Sequence, residues 1–229
     1  MVADTKGSQK WLRLLINHAP ELVNRELGRR LDFKVGETVQ WLSPLKKDNY
    51  HEYSDQKALD RFCSLEYKKR PLKDFWPPGG PHWDALATTT VSHKVILVEA
   101  KAYIAEMKSG RSNATHGASK ELIKRSIQET KDSLASELGG DWNEPFYQYA
   151  NRLSFLHFLR TINGNKNTYL LFLYFVNADV PHPATREQWE GAIELLDLYL
   201  GIKKRHRVIK EGVLHVFIDV NDILKAIET

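Results

Sequence analysis

Apolar positions along the chain change period several times, and each change marks an element. Between residues 9 and 31, Trp11, Leu12, Leu14, Leu15 and Ile16, then Leu22, Val23 and Leu27, recur at helical spacing, and Pro20 suits a first helical turn. Two short helices are predicted there. The brief alternation in "ETVQWLSPL" predicts a strand at 38–42 that stops at Pro44, and a helix is expected over 55–66 after a strand or turn in "DNYHEYSD". Pro77-Pro78-Gly79-Gly80-Pro81 forbids regular structure, and the chain resumes as a strand over 82–88. A second strand over 93–102 follows a short polar turn, so the two should form a hairpin. After a loop rich in Ser, Gly and Asn at 109–119, "SKELIKRSIQETKDSLASEL" predicts a helix capped by Ser119 and stopped at Gly139-Gly140. "NEPFYQYANRLSFLHFLRTI" predicts another helix, followed by a strand at 168–177, a helix capped by Thr185, a last strand in "GVLHVFIDV" and a terminal helix. This order predicts one α/β (α+β) domain over 1–229, a central mixed sheet flanked by helices, with residues 1–8 as a flexible N-terminus.

A length of 229 residues allows one well-buried core, and no composition break argues for two. The longest apolar run, "YLLFLYFV" at 169–176, is too short to span a bilayer, and "MVADTKGSQK" has no signal-peptide core. A soluble, cytoplasmic protein is expected. The single cysteine, Cys63, excludes an internal disulfide framework and a cysteine-rich zinc site, and is expected as a core thiol. A net charge of +4 permits a polyanionic partner without demanding one. The basic residues gather in "KKRPLK" (68–73) and "KKRHRVIK" (203–210), which can neutralise phosphates or simply be solvated loops.

The stretch "VILVEAKA", residues 95–102, departs from this plain patterning: a buried-strand run ends in Glu99 and Lys101. Side chains alternate in a strand, so Val95, Leu97, Glu99 and Lys101 share one face. An isolated charge under a covered sheet costs several kcal/mol, so the pair either sits at an exposed strand end or is compensated. Hairpin pairing places Asp84, in "PHWDALATTT", opposite roughly position 99. Two carboxylates on adjacent strands repel unless a divalent cation lies between them, and hard oxygen donors suit Mg2+ or Mn2+. Lys101 would then orient water or stabilise charge on a phosphate oxygen.

Asp, then Glu-x-Lys on the next strand of a hairpin, with helices before and after, resembles the PD-(D/E)XK nuclease superfamily, whose fold is restriction-endonuclease-like. The resemblance rests on Pro81, Asp84, Glu99 and Lys101, in "GPHWDAL" and "VEAK". It departs from the family pattern in that the proline stands three residues before Asp84. It implies hydrolysis of phosphodiester bonds in nucleic acid, DNA first, with Asp84, Glu99 and the Ala100 carbonyl on the metal and Lys101 serving the attacking water. Many members carry a further glutamate upstream; Glu21, Glu26 and Glu52 are the candidates, with Glu52 preferred because it sits among aromatics. Gln148 and Arg152, one turn apart on a helix, are candidate nucleic-acid contacts, with an ordinary exposed polar pair as the plainer account. Glu-x-Lys also occurs at 66–68, 106–108 and 129–131, and only the copy at 99–101 ends an apolar strand with an aspartate in the strand before it.

No zinc-type histidine spacing, nucleophile elbow or Walker loop competes. Phe75, Trp76 and Trp83 are expected to pack beside the hairpin rather than to stack nucleobases. The alternative to a metal-dependent nuclease is a non-catalytic nucleic-acid-binding or interaction protein on the same fold. A homodimer is compatible with either.

Overall fold

The structure, a computed structural model, describes residues 6–228. The predicted flexible segment falls partly outside these residues, at 1–5, whereas Gly7 and Ser8 already belong to the first helix. Two helices, α1 (Gly7–His18) and α2 (Pro20–Arg30), lead into β1 (Val39–Ser43), the short α3 (Asp55–Leu59), and the strands β2 (Ala85–Thr89) and β3 (Val95–Lys101). There follow α4 (Gly117–Leu134), α5 (Tyr147–His157) with a π-helical turn at Phe158–Ile162, β4 (Thr168–Val176), α6 (Arg186–Leu200), α7 (Arg207–Gly212), β5 (Val213–Asp219) and α8 (Val220–Glu228).

The five strands form one sheet in the order β1-β2-β3-β4-β5. The first three pair antiparallel, and β4 and β5 add parallel to β3. Two crossovers make this possible: α4 and α5 carry the chain from β3 to β4, and α6 and α7 carry it from β4 to β5. Strand alternation then separates two cores. Ile96, Val98 and Ala100 of β3 join Leu171 and Leu173 of β4 under α1, α2 and α8. Val95 and Leu97 join Leu170, Phe172 and Tyr174 under α4, α5 and α6. A mixed α/β architecture with a helical layer on each sheet face results.

Several boundaries differ from the sequence-based expectation. The helix expected over 55–66 stops at Leu59, and Phe62 is buried from irregular backbone beyond it. The long helix is preceded by His116, not Ser119, and ends at Leu134 because the Ser136 amide turns away to the Gly201 carbonyl, at 2.8 Å. Thr185 does cap α6, in a reciprocal box with Gln188. Cys63 is exposed, not a core thiol. Phe75, Trp76 and Trp83 are buried, as packing residues should be. No helix among the described residues is long and apolar enough to cross a membrane.

Candidate functional site

Asp84 stands one residue before β2 rather than on it. The pairing of Ala85 with Val98 continues to set it beside Glu99, and its Oδ2 accepts the Ala100 amide at 2.7 Å. The hairpin therefore brings the two carboxylates together at the carboxyl end of β3. In sheets with parallel strands this end is where ligand crevices open.

Glu99 points to the face covered by α5 and is only 1 % exposed. It is compensated twice. Lys101 Nζ donates to its Oε1, and the Arg152 guanidinium donates to its Oε2 through Nε at 2.7 Å. Arg152, itself 3 % exposed, also donates to the His82 carbonyl at 2.6 Å and lies over the Trp83 ring at 4.7 Å. Lys101 Nζ donates further to Gln148 Oε1 at 2.9 Å. Burial works to raise the Glu99 carboxyl, but the Arg152 and Lys101 charges outweigh it and hold the group below its ordinary value, ionised.

Asp84 has the opposite balance. Burial and the neighbouring Glu99 charge push its carboxyl up to about 7, against the weaker opposing pull of Lys101, the Ala100 amide and Arg152. Burial and charge thus move the two adjacent carboxylates in opposite directions, Asp84 up and Glu99 down.

Asp84 opens onto a cavity of about 790 Å³. Its walls are the segment 76–81, the loop 109–116 and the N-terminal turns of α4 and α5. Gln148 and Arg152 line it; Glu99 and Lys101 do not. These latter two face instead a void of about 10 Å³ on the inner side of Gln148. Gln148 and Arg152 are therefore not an exposed polar pair: they separate the cavity from the buried charges.

The upstream glutamates divide. Glu52 lines the cavity and accepts from Gln9 of α1 at 2.9 Å. Glu26 is paired with Arg29 and Arg30 on α2, Glu21 is exposed on the same helix, and neither lines the cavity. Arg152 as the partner of Glu99 was not foreseen, although an arginine inside the apolar run "YANRLSFLHFL" was its visible signal. The other Glu-x-Lys copies lie away from the cavity: Glu106 accepts the Ala102 amide and Glu66 pairs with Lys68 locally, while Glu129 ties α4 to Arg70.

No group of three or more His, Cys, Asp or Glu side chains placed to hold a metal ion occurs among the described residues. The two carboxylates still suit magnesium, which is commonly held by one or two carboxylates and keeps several waters. Both Glu99 oxygens already accept from a cation, so an entering ion must displace a contact, and Arg152, in the cavity wall, is the one it meets. Comparison with protein-family models, with curated proteins and with solved structures found no match.

Proposed function

We propose that the protein is a Mg2+- or Mn2+-dependent nuclease that hydrolyses phosphodiester bonds in nucleic acid, DNA first, on a restriction-endonuclease-like scaffold. The observation that supports this reading is the placing of Asp84 against Glu99 and the Ala100 amide, with Lys101 in contact with Glu99, beside a cavity large enough for a nucleotide. Asp84, Glu99 and the Ala100 carbonyl would hold the metal, which supplies Lewis-acid charge to a phosphate oxygen. Lys101, held by Glu99 and Gln148 on the inner side of the cavity wall, would serve the attacking water once that wall is displaced. Arg152, in the cavity wall, would neutralise a phosphate if its contact with Glu99 were exchanged for the metal. Glu52 faces the same cavity and is the candidate for a further water or metal contact.

The experiment is cleavage of labelled single- and double-stranded DNA with Mg2+ or Mn2+, wild type beside Asp84→Ala, Glu99→Gln and Lys101→Ala. Metal-dependent cleavage lost in all three folded variants supports the reading; cleavage retained in all three overturns it. Metal-independent DNA binding without cleavage in the wild type would favour the non-catalytic alternative.

A further inference from the structure

The two basic runs, about 130 residues apart in sequence, meet in the fold at the C-terminal end of α4. Arg70 donates to Glu129 of α4 at 2.8 Å, and the Lys203 amide donates to the Leu134 carbonyl at 2.9 Å. Five residues of helix separate these anchors, an axial distance of about 8 Å. Asn163, just past α5, fixes the first run by accepting the Lys69 and Arg70 amides at 3.1 Å.

Much of the charge here is already paired. Lys68 meets Glu66, Arg70 meets Glu129, Lys204 lies near Glu194 and Asp197, and Arg207 meets Glu211. Lys69, Lys73, Lys203 and Arg205 are exposed and form no ion pair among the described residues. Asp74 and Asp132, exposed on the same segments and in no ion pair among the described residues, offset part of this charge and leave a smaller local surplus of positive charge.

This surplus is aligned with the cavity. The cavity is built on the first turns of α4 and α5, through Ser119, Ile123 and Gln148, whereas the basic surface lies at their far ends. Residues 70–76 connect the two along α4, from Arg70 at Glu129 to the Phe75 carbonyl at Ser126 and then Trp76 in the cavity wall. Lys124 and Arg125 are exposed on the same stretch of helix. Along α4, Ile123 in the cavity wall to Leu134, where Lys203 is held, spans about 17 Å, roughly five base pairs of duplex.

We propose that Lys69, Lys73, Lys203 and Arg205 form a second contact for a duplex DNA backbone, engaging phosphates about five base pairs from the phosphate presented at Asp84. The inference rests on the nuclease reading for what happens at Asp84, but the binding surface is tested without it.

The test measures binding of a labelled duplex of about 24 base pairs, long enough to cover both sites, by fluorescence anisotropy in EDTA across a salt series. Wild type is compared with Lys69→Gln/Lys73→Gln/Lys203→Gln/Arg205→Gln and with a control of equal charge loss remote from this surface, Arg25→Gln/Lys34→Gln/Lys46→Gln/Lys47→Gln. All eight side chains are exposed, and circular dichroism checks that both variants fold. The first variant should bind at least about tenfold more weakly, with a log-log salt slope shallower by roughly three, while the control keeps the wild-type affinity and slope. Equal losses in both variants would show only a net-charge effect, and unchanged binding in the first would remove the surface; either overturns the proposal. Should the quadruple variant misfold, Lys73→Gln/Arg205→Gln must give a weaker but same-signed loss. Cleavage failing in the wild type would count against the nuclease reading alone.

Discussion

Replacing Asp84 by asparagine should make the metal-free protein more stable at alkaline pH while removing its response to magnesium. The Asp84 carboxyl rises from an ordinary 3.8 to about 7 in the folded chain. Folding therefore disfavours its ionised form. The unfolded state ionises first as pH rises, so stability falls progressively from about pH 4 to pH 7 and stays reduced above that. The displacement corresponds to up to about 4 kcal/mol, an upper bound because the side chain is half-buried at the cavity wall. An asparagine carries no charge and its side-chain oxygen can still accept the Ala100 amide. Urea unfolding in EDTA should thus show Asp84→Asn more stable than wild type by a few kcal/mol near pH 8. The gap should shrink to about half near pH 5.5 and be small near pH 4. Adding millimolar Mg2+ should raise the midpoint of the wild type and not of the variant, since an ion that binds only the folded state stabilises it. Equal stability of the two proteins at pH 8 in EDTA would refute the claim that Asp84 is held against its ionisation.

Other outcomes follow from the same contacts. Arg152→Met strips Glu99 of one of its two cations and should destabilise by about 3 kcal/mol in denaturant unfolding; a double-mutant cycle with Glu99→Gln should recover a large part of that loss. His157 and His215 are both depressed to about 4 by burial, from 6.5, so both stay neutral in the folded chain at neutral pH. Stability should accordingly drop as pH falls from about 6.5 to about 4, by up to about 3 kcal/mol for each, and His157→Gln should flatten that part of the pH-stability curve. Gly139→Ala should destabilise measurably in thermal melting, because its added Cβ would clash with the Leu200 carbonyl.

What the sequence made legible was governed by periodicity and pairing, and what it hid was governed by tertiary contact. The alternation in residues 95–102 placed Glu99 and Lys101 on one face, and counting back through the turn placed Asp84 beside Glu99; the observed register agrees, although the strand itself begins at Ala85. Thr185 was readable as a cap because its partner Gln188 is local. The early end of α3 was not readable, since the chain beyond Leu59 is held by buried Phe62 and by contacts to Asn165 far along the sequence. Arg152 was legible as a candidate but not as the counterion of Glu99, because that pairing spans 53 positions and depends on how α5 lies across the sheet. Cys63 could not be placed from composition, as nothing local distinguishes a buried thiol from one on a loop surface.

The crossover between β3 and β4 also sets a timetable. Asp84, Glu99 and Lys101 belong to a hairpin of local contacts, which pays little loop-closure entropy and can form early. Arg152 and Gln148 arrive only when α5 has docked, so during synthesis from the N-terminus the hairpin is complete some fifty residues before its counterion exists. Until then Glu99 remains hydrated and the cavity lacks a wall. A truncated or half-made chain therefore carries every carboxylate of the site without the enclosure that tunes them.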